Sequence, residues 1–173
     1  ALHAHLEDKV RRNLPNALIV ASQLLFNLQS VARAPMVAEQ HYNTDNAMFA
    51  RMLGPTMNYS CGYWKDAETL DEAQRNKMDL ICRKLDLKEG MSVLDIGCGW
   101  GGLSLYMAKE YGVKVTGVTI STEQLAYARE HDAGHLVNWL LQDYRSMEGQ
   151  FDRIVSVGMF EHVGRKNYDI FMK

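Results

Sequence analysis

Apolar positions along this chain keep different rhythms in different stretches. Leu14, Ala17, Leu18, Ala21, Leu24, Leu25 and Leu28 recur at three- and four-residue steps, which predicts an amphipathic helix within residues 1–38. Pro15 suits its first turn and Pro35 its end. Over residues 39–66 the periodicity is lost. His41, Tyr42, Asn43, Asn46, Asn58, Tyr59, Tyr63 and Trp64 surround Gly54-Pro55, a composition expected of an ordered loop or lid.

From residue 67 to 173, helical and strand-like segments alternate. Thr69 and Glu72 have the spacing of a capping box, and Leu70, Ala73, Ile81 and Leu85 are the expected inner face of the helix that follows. Ser92–Ile96 reads as a buried strand running into glycines. Residues 103–111 read as a helix stopped by Gly112, and residues 113–119 as a second strand. Ser121 with Gln124 is set to cap a helix over residues 123–131, and residues 136–141 and 151–157 give two more strands. This order predicts an α/β fold, a Rossmann-like doubly wound parallel sheet with crossover helices behind an N-terminal helical segment. A sheet with its fourth strand as an open edge is expected to be incomplete there. The start at Ala1 and the stop at Lys173 agree with a piece of something longer.

Composition narrows the function classes. The chain has 173 residues, 47% hydrophobic and 23% charged, with a formal net charge of −2, so no general basic field draws it to nucleic acid. The run at residues 17–21 is far too short to span a bilayer, and no signal peptide is recognisable around it. Cys61, Cys82 and Cys98 are too few and scattered for a disulfide framework or a metal cluster, and His3 with His5 reads as solvated. The expectation is a cytoplasmic protein without a metal.

The strongest chemical signal is Val93-Leu94-Asp95-Ile96-Gly97-Cys98-Gly99-Trp100-Gly101-Gly102. Gly97, Gly99 and Gly102 satisfy G-x-G-x-x-G after a strand, which alone is weak support for a dinucleotide site. Two details favour S-adenosylmethionine. Asp95 would oppose a pyrophosphate but help to hold a cation, and the bulk of Trp100 occupies a turn that a diphosphate would need. No acidic ribose partner ends the second strand, which reads Thr119-Ile120-Ser121-Thr122-Glu123-Gln124, so hydroxyls and Gln124 must serve the ribose in its place.

These residues bring out a family pattern. The chain resembles the cyclopropane-fatty-acid synthases, including the mycolic acid cyclopropane synthases, which are class I S-adenosylmethionine-dependent methyltransferases. The matching runs are Glu39-Gln40-His41-Tyr42-Asn43, Asn58-Tyr59-Ser60-Cys61-Gly62-Tyr63-Trp64, the glycine loop, and Gly117-Val118-Thr119-Ile120-Ser121 with Gln124. They continue through Phe151-Asp152-Arg153-Ile154-Val155-Ser156-Val157-Gly158-Met159-Phe160-Glu161-His162-Val163-Gly164 and Asn167-Tyr168-Asp169. The resemblance implies that Gly97, Cys98, Gly99, Trp100 and Gly101 line the cofactor, with Tyr59 and Ser60 closing over it. It implies Asp143 and Tyr144 beside the adenine, Val157 near it, and Cys61 with Glu161 holding a bicarbonate ion beside the transferred methyl. It further implies cyclopropanation of the cis double bond in an unsaturated phospholipid acyl chain. The enzyme would then work peripherally at the inner face of a membrane, and a homodimer stays open. From the residues themselves, Glu161 is an alternative direct base. Rival readings are a small-molecule N-methyltransferase, a cofactor-binding module without turnover, and a nicotinamide oxidoreductase.

Overall fold

The computed structural model describes residues 46–172. The stripe at residues 14–28, both histidines of the start, Pro35 and the run Glu39-Gln40-His41-Tyr42-Asn43 lie outside the described residues. In chain order the elements are α1 (Asn46–Leu53), α2 (Leu70–Lys84), β1 (Ser92–Ile96), α3 (Gly102–Tyr111), β2 (Lys114–Thr119), α4 (Thr122–His131), β3 (Val137–Leu141), β4 (Arg153–Val155), α5 (Phe160–Val163) and α6 (Tyr168–Phe171). Short 3₁₀ turns occupy Tyr144–Ser146 and Arg165–Asn167.

The strands form a four-stranded, fully parallel sheet in the order β3-β2-β1-β4. Such a sheet must be covered on both faces, which explains why Val93, Leu94, Asp95 and Ile96 of β1 are all buried. One face packs Val93, Val115, Val137 and Trp139 against Met78, Cys82, Leu103 and Met107. The other gathers Leu94, Ile96 and Val118 with Tyr144, Met147, Phe151, Met159 and Phe171. Between β1 and β4 the winding reverses, and open α/β sheets bind ligands outside the carboxyl ends of strands at that point.

Helix ends follow the local chemistry. Thr69 accepts from the Glu72 amide while the Glu72 carboxylate accepts from the Thr69 amide, closing the capping box. Ser121 accepts from the Gln124 amide, and Gly112 ends α3 in the left-handed region at φ 62°.

Three expectations change. Residues 39–66 contain α1, whose Phe49 and Leu53 are spaced by one turn and pack with Met57 on Trp100. The inner face of α2 runs through Ala73, Gln74, Lys77, Met78 and Cys82, and Leu70 in the first turn is exposed. The expected strand at residues 151–157 shortens to β4, because its pairing with β1 covers only Val93, Leu94 and Asp95. Ser156 instead donates its hydroxyl to the Ile96 carbonyl at 2.9 Å as β1 leaves the sheet.

Candidate functional site

At the carboxyl end of β1 the chain turns through Gly97, Cys98 and Gly99 into Trp100, Gly101 and α3. The amides of Gly97 and Cys98 both donate to the Val118 carbonyl of β2, at 2.9 and 3.1 Å, pinning the turn to the sheet. Gly99 has φ 57°, and a Cβ added there would meet nothing within 4 Å, so the loop leaves open space above its backbone. Gly102 is different in kind. An added Cβ would lie 1.9 Å from the Thr56 carbonyl oxygen, so glycine here lets the segment before Asn58 sit on the first turn of α3.

That open space is part of a cavity of about 300 Å³. Its walls include Tyr59, Ser60, Asp95, Gly97, Cys98, Gly99, Trp100, Thr119, Gln124, Asp143, Tyr144, Val157 and Glu161, thirteen positions anticipated from the sequence. The two others do not line it. Cys61 is exposed and outside the cavity, and Gly101 accommodates the Trp139 ring, which an added Cβ would approach to 2.5 Å.

The polar groups around the cavity are tied to the scaffold. Asp95 is buried and accepts the Ser104 hydroxyl at 2.6 Å; burial pushes its carboxyl up to about 6, with that hydrogen bond working in the opposite direction. Thr119 and Gln124 meet through a 3.1 Å hydrogen bond, which places β2's last residue beside the start of α4. Burial opposes ionisation of Asp143, yet the Arg145 guanidinium and amide overcome it and hold the carboxyl below the usual carboxylate range. Burial drives the Cys98 thiol well above its ordinary range, an environment unsuited to a thiolate nucleophile. Trp100 donates from its indole to the Asn46 side chain at 2.9 Å and packs on Phe49 at 4.7 Å between ring centroids. Glu161 stands in α5, exposed on the opposite wall with His162 and Met159.

Reading the sequence missed a second set of wall residues. Lys77 is 8% exposed, lines the cavity and donates to the Ser60 hydroxyl at 2.7 Å. Gln74, one turn earlier on α2, donates to the carbonyls of Asn58 and Ser60. Gly62 packs on Ala73, whose carbonyl accepts the Tyr63 amide at 2.9 Å. Together they fasten the strap carrying Tyr59, Ser60 and Cys61 to one face of α2. The available signal was a lysine one turn after Ala73, directly before Met78 and on the same stripe as Cys82.

A parallel sheet flanked by helices, with a glycine-lined crevice beyond β1, is the architecture of a class I methyltransferase domain, and solved methyltransferases share it. A mycolic acid cyclopropane synthase complexed with SAH and CTAB superposes with a TM-score of 0.75 at 38% identity, over 79% of this chain and 50% of that one. Coclaurine N-methyltransferase, bound to N-methylheliamine and SAH, superposes with a TM-score of 0.64 at 31% identity, over 92% of this chain and 50% of that one. The family model described as mycolic acid cyclopropane synthetase matches residues 29–173, and the chain belongs to that family. It is 57% identical over 170 residues to the cyclopropane-fatty-acyl-phospholipid synthase of Escherichia coli K12, an alignment covering 98% of this chain and 44% of the relative. The chain thus spans about half the length of the relatives it matches.

Proposed function

We propose that the cavity binds S-adenosylmethionine as methyl donor, in a cyclopropane-fatty-acyl-phospholipid synthase acting on unsaturated phospholipid acyl chains. The reading rests on the charge and shape of the crevice. Asp95 presents a buried carboxylate toward a ligand that carries a sulfonium and an ammonium, and such a pairing favours the ionised acid. A diphosphate would be repelled by that carboxylate. It would also find the first turn of α3 covered by the Thr56 carbonyl, which removes the usual phosphate seat.

Within this reading Gly97, Gly99 and their neighbours follow the donor's backbone, and Thr119 with Gln124 serves the ribose. Asp143 and Tyr144 flank the adenine, Val157 packs beside it, and the strap of Tyr59 and Ser60 closes the entrance. The donor supplies an electrophilic methyl on a sulfonium. The rest is positioning: an isolated double bond is a poor nucleophile and must meet that methyl in line, away from water. One alkene carbon takes the methyl as the carbon–sulfur bond breaks, leaving S-adenosylhomocysteine and a cationic centre. Loss of a proton from the new methyl then closes the ring, and Glu161 is the carboxylate on the cavity wall able to accept it. The bicarbonate expected beside the methyl is only partly matched, since Glu161 lines the cavity and Cys61 does not.

A phospholipid substrate requires docking on a membrane surface. No helix among the described residues is long and apolar enough to cross one. The apolar stripe of the sequence within residues 1–38 and the aromatic segment at 39–66 are our candidates for that contact and for a division from the methyltransferase domain beginning at 67.

Titration with S-adenosylmethionine and with a nicotinamide dinucleotide tests the cavity; preference for the dinucleotide would overturn the reading. The full protein, given donor labelled in its methyl group, should place label in unsaturated phospholipid vesicles and not in saturated ones. Label appearing instead in an added amine would favour the N-methyltransferase reading.

A further inference from the structure

Lys77 is a buried lysine with a neutral partner. Its ammonium reaches the Ser60 hydroxyl at 2.7 Å, and among the described residues no carboxylate lies within ion-pair distance of it. An ammonium has three N–H donors, so two have no acceptor among the described residues while the group faces the cavity at 8% exposure. Buried charges are kept where they are paired, and a donor pair aimed into a ligand cavity asks for an anion with two acceptor oxygens. Burial lowers its pKa to about 8, with the nearby Cys61 thiol acting against that shift, so the cationic form predominates at neutral pH. Asp95, on β1, answers the cationic part of a zwitterionic ligand and leaves its anionic part unanswered.

We propose that Lys77, with the Ser60 hydroxyl, forms the anion seat of this cavity and takes a carboxylate-class anion there. This rests on the donor-binding reading above. Two sources have that chemistry: the α-carboxylate at the methionine end of the donor, and bicarbonate. In either case the seat couples ligand binding to the strap, because Ser60 belongs to the segment that α2 fastens through Gln74 and Ala73.

The test uses Lys77→Met and Lys77→Arg in the full protein, with calorimetry of S-adenosylhomocysteine and of methylthioadenosine, which lacks the amino-acid end. If the donor carboxylate occupies the seat, Lys77→Met weakens S-adenosylhomocysteine by about tenfold or more, as for loss of a charged hydrogen bond. Methylthioadenosine binding should stay within about twofold, and Lys77→Arg should recover part of the loss. If bicarbonate occupies it, S-adenosylhomocysteine is unaffected, and the melting shift that bicarbonate causes in the wild type disappears in Lys77→Met. Equal loss of both nucleosides would mark a purely structural lysine and overturn the proposal, as would no change in any arm. A wild type that binds neither nucleoside would instead sink the donor-binding reading.

Discussion

The two walls of the cavity are built differently. On the wall of α2, the glycine loop and the end of β2, each polar side chain is held by another: Asp95 by Ser104, Thr119 by Gln124, Ser60 by Lys77. On the wall of β4 and α5, the strand has three residues and the helix four, the helix has no side-chain cap, and Glu161 is exposed. Ile154 of β4 is 56% exposed, while β1 beside it is buried almost throughout. The first wall holds its polar groups in place, and the second leaves Glu161 exposed on a short, uncapped helix. Donor affinity and turnover should therefore separate by mutation.

The separation is sharpest at Glu161. In lipid turnover assays on the full protein, Glu161→Gln should lower the rate by about a hundredfold or more, the loss expected of the base proposed above, with donor affinity unchanged within about twofold. Weakened donor binding would break the comparison. Next is Gly102→Ala, whose methyl would collide with the Thr56 carbonyl. Relieving that contact should cost roughly 3 kcal/mol, read as a lower Tm, and loosen the strap so that donor affinity falls too.

Asp95→Asn should act on affinity and stability in opposite directions. The folded-state pKa of about 6 stands above the ordinary 3.8, so Asp95's contribution to stability is full below about pH 4 and lost as pH rises through about 6. The substitution removes that loss. The ligand-free protein should gain roughly 2 kcal/mol at pH 7 relative to its value at pH 4, and bind the donor at least about tenfold more weakly. Melting curves of both proteins from pH 4 to 8 would show the two lines diverging with pH; parallel lines would contradict it. The smallest effect belongs to Trp100→Phe, which gives up the indole bond to Asn46 for about 1 kcal/mol and keeps the contact with Phe49.

Much of the first wall was legible in the sequence because its signals are local. A strand running into glycines, Ser121 three residues before Gln124, and Thr69 before Glu72 each carry their own geometry within a few positions. What escaped depends on distant partners. The helix of Phe49 and Leu53 is too short to show a period, and its packing surface is Trp100, about fifty positions away. Lys77 resembles any solvated helix lysine until the strap folds over it. The seven-residue run ending at Val157 looks like a strand throughout, but a strand extends only as far as its neighbour keeps pairing. Cys61, placed in the pocket by its membership in a recognisable run, is exposed and does not line the cavity.

The Trp139 ring fills the space over two glycines at once, since a Cβ at Gly101 would approach it to 2.5 Å and one at Gly117 to 2.8 Å. Its indole is also anchored to Asp132 at 3.0 Å, so it has little room to retreat. Gly117 and Trp139 are consequently interdependent under selection. A library varying Gly117 alone should return almost only the parental residue, whereas one that also admits smaller side chains at Trp139 should recover alternatives there; Gly101, held at φ 90°, should stay glycine in both.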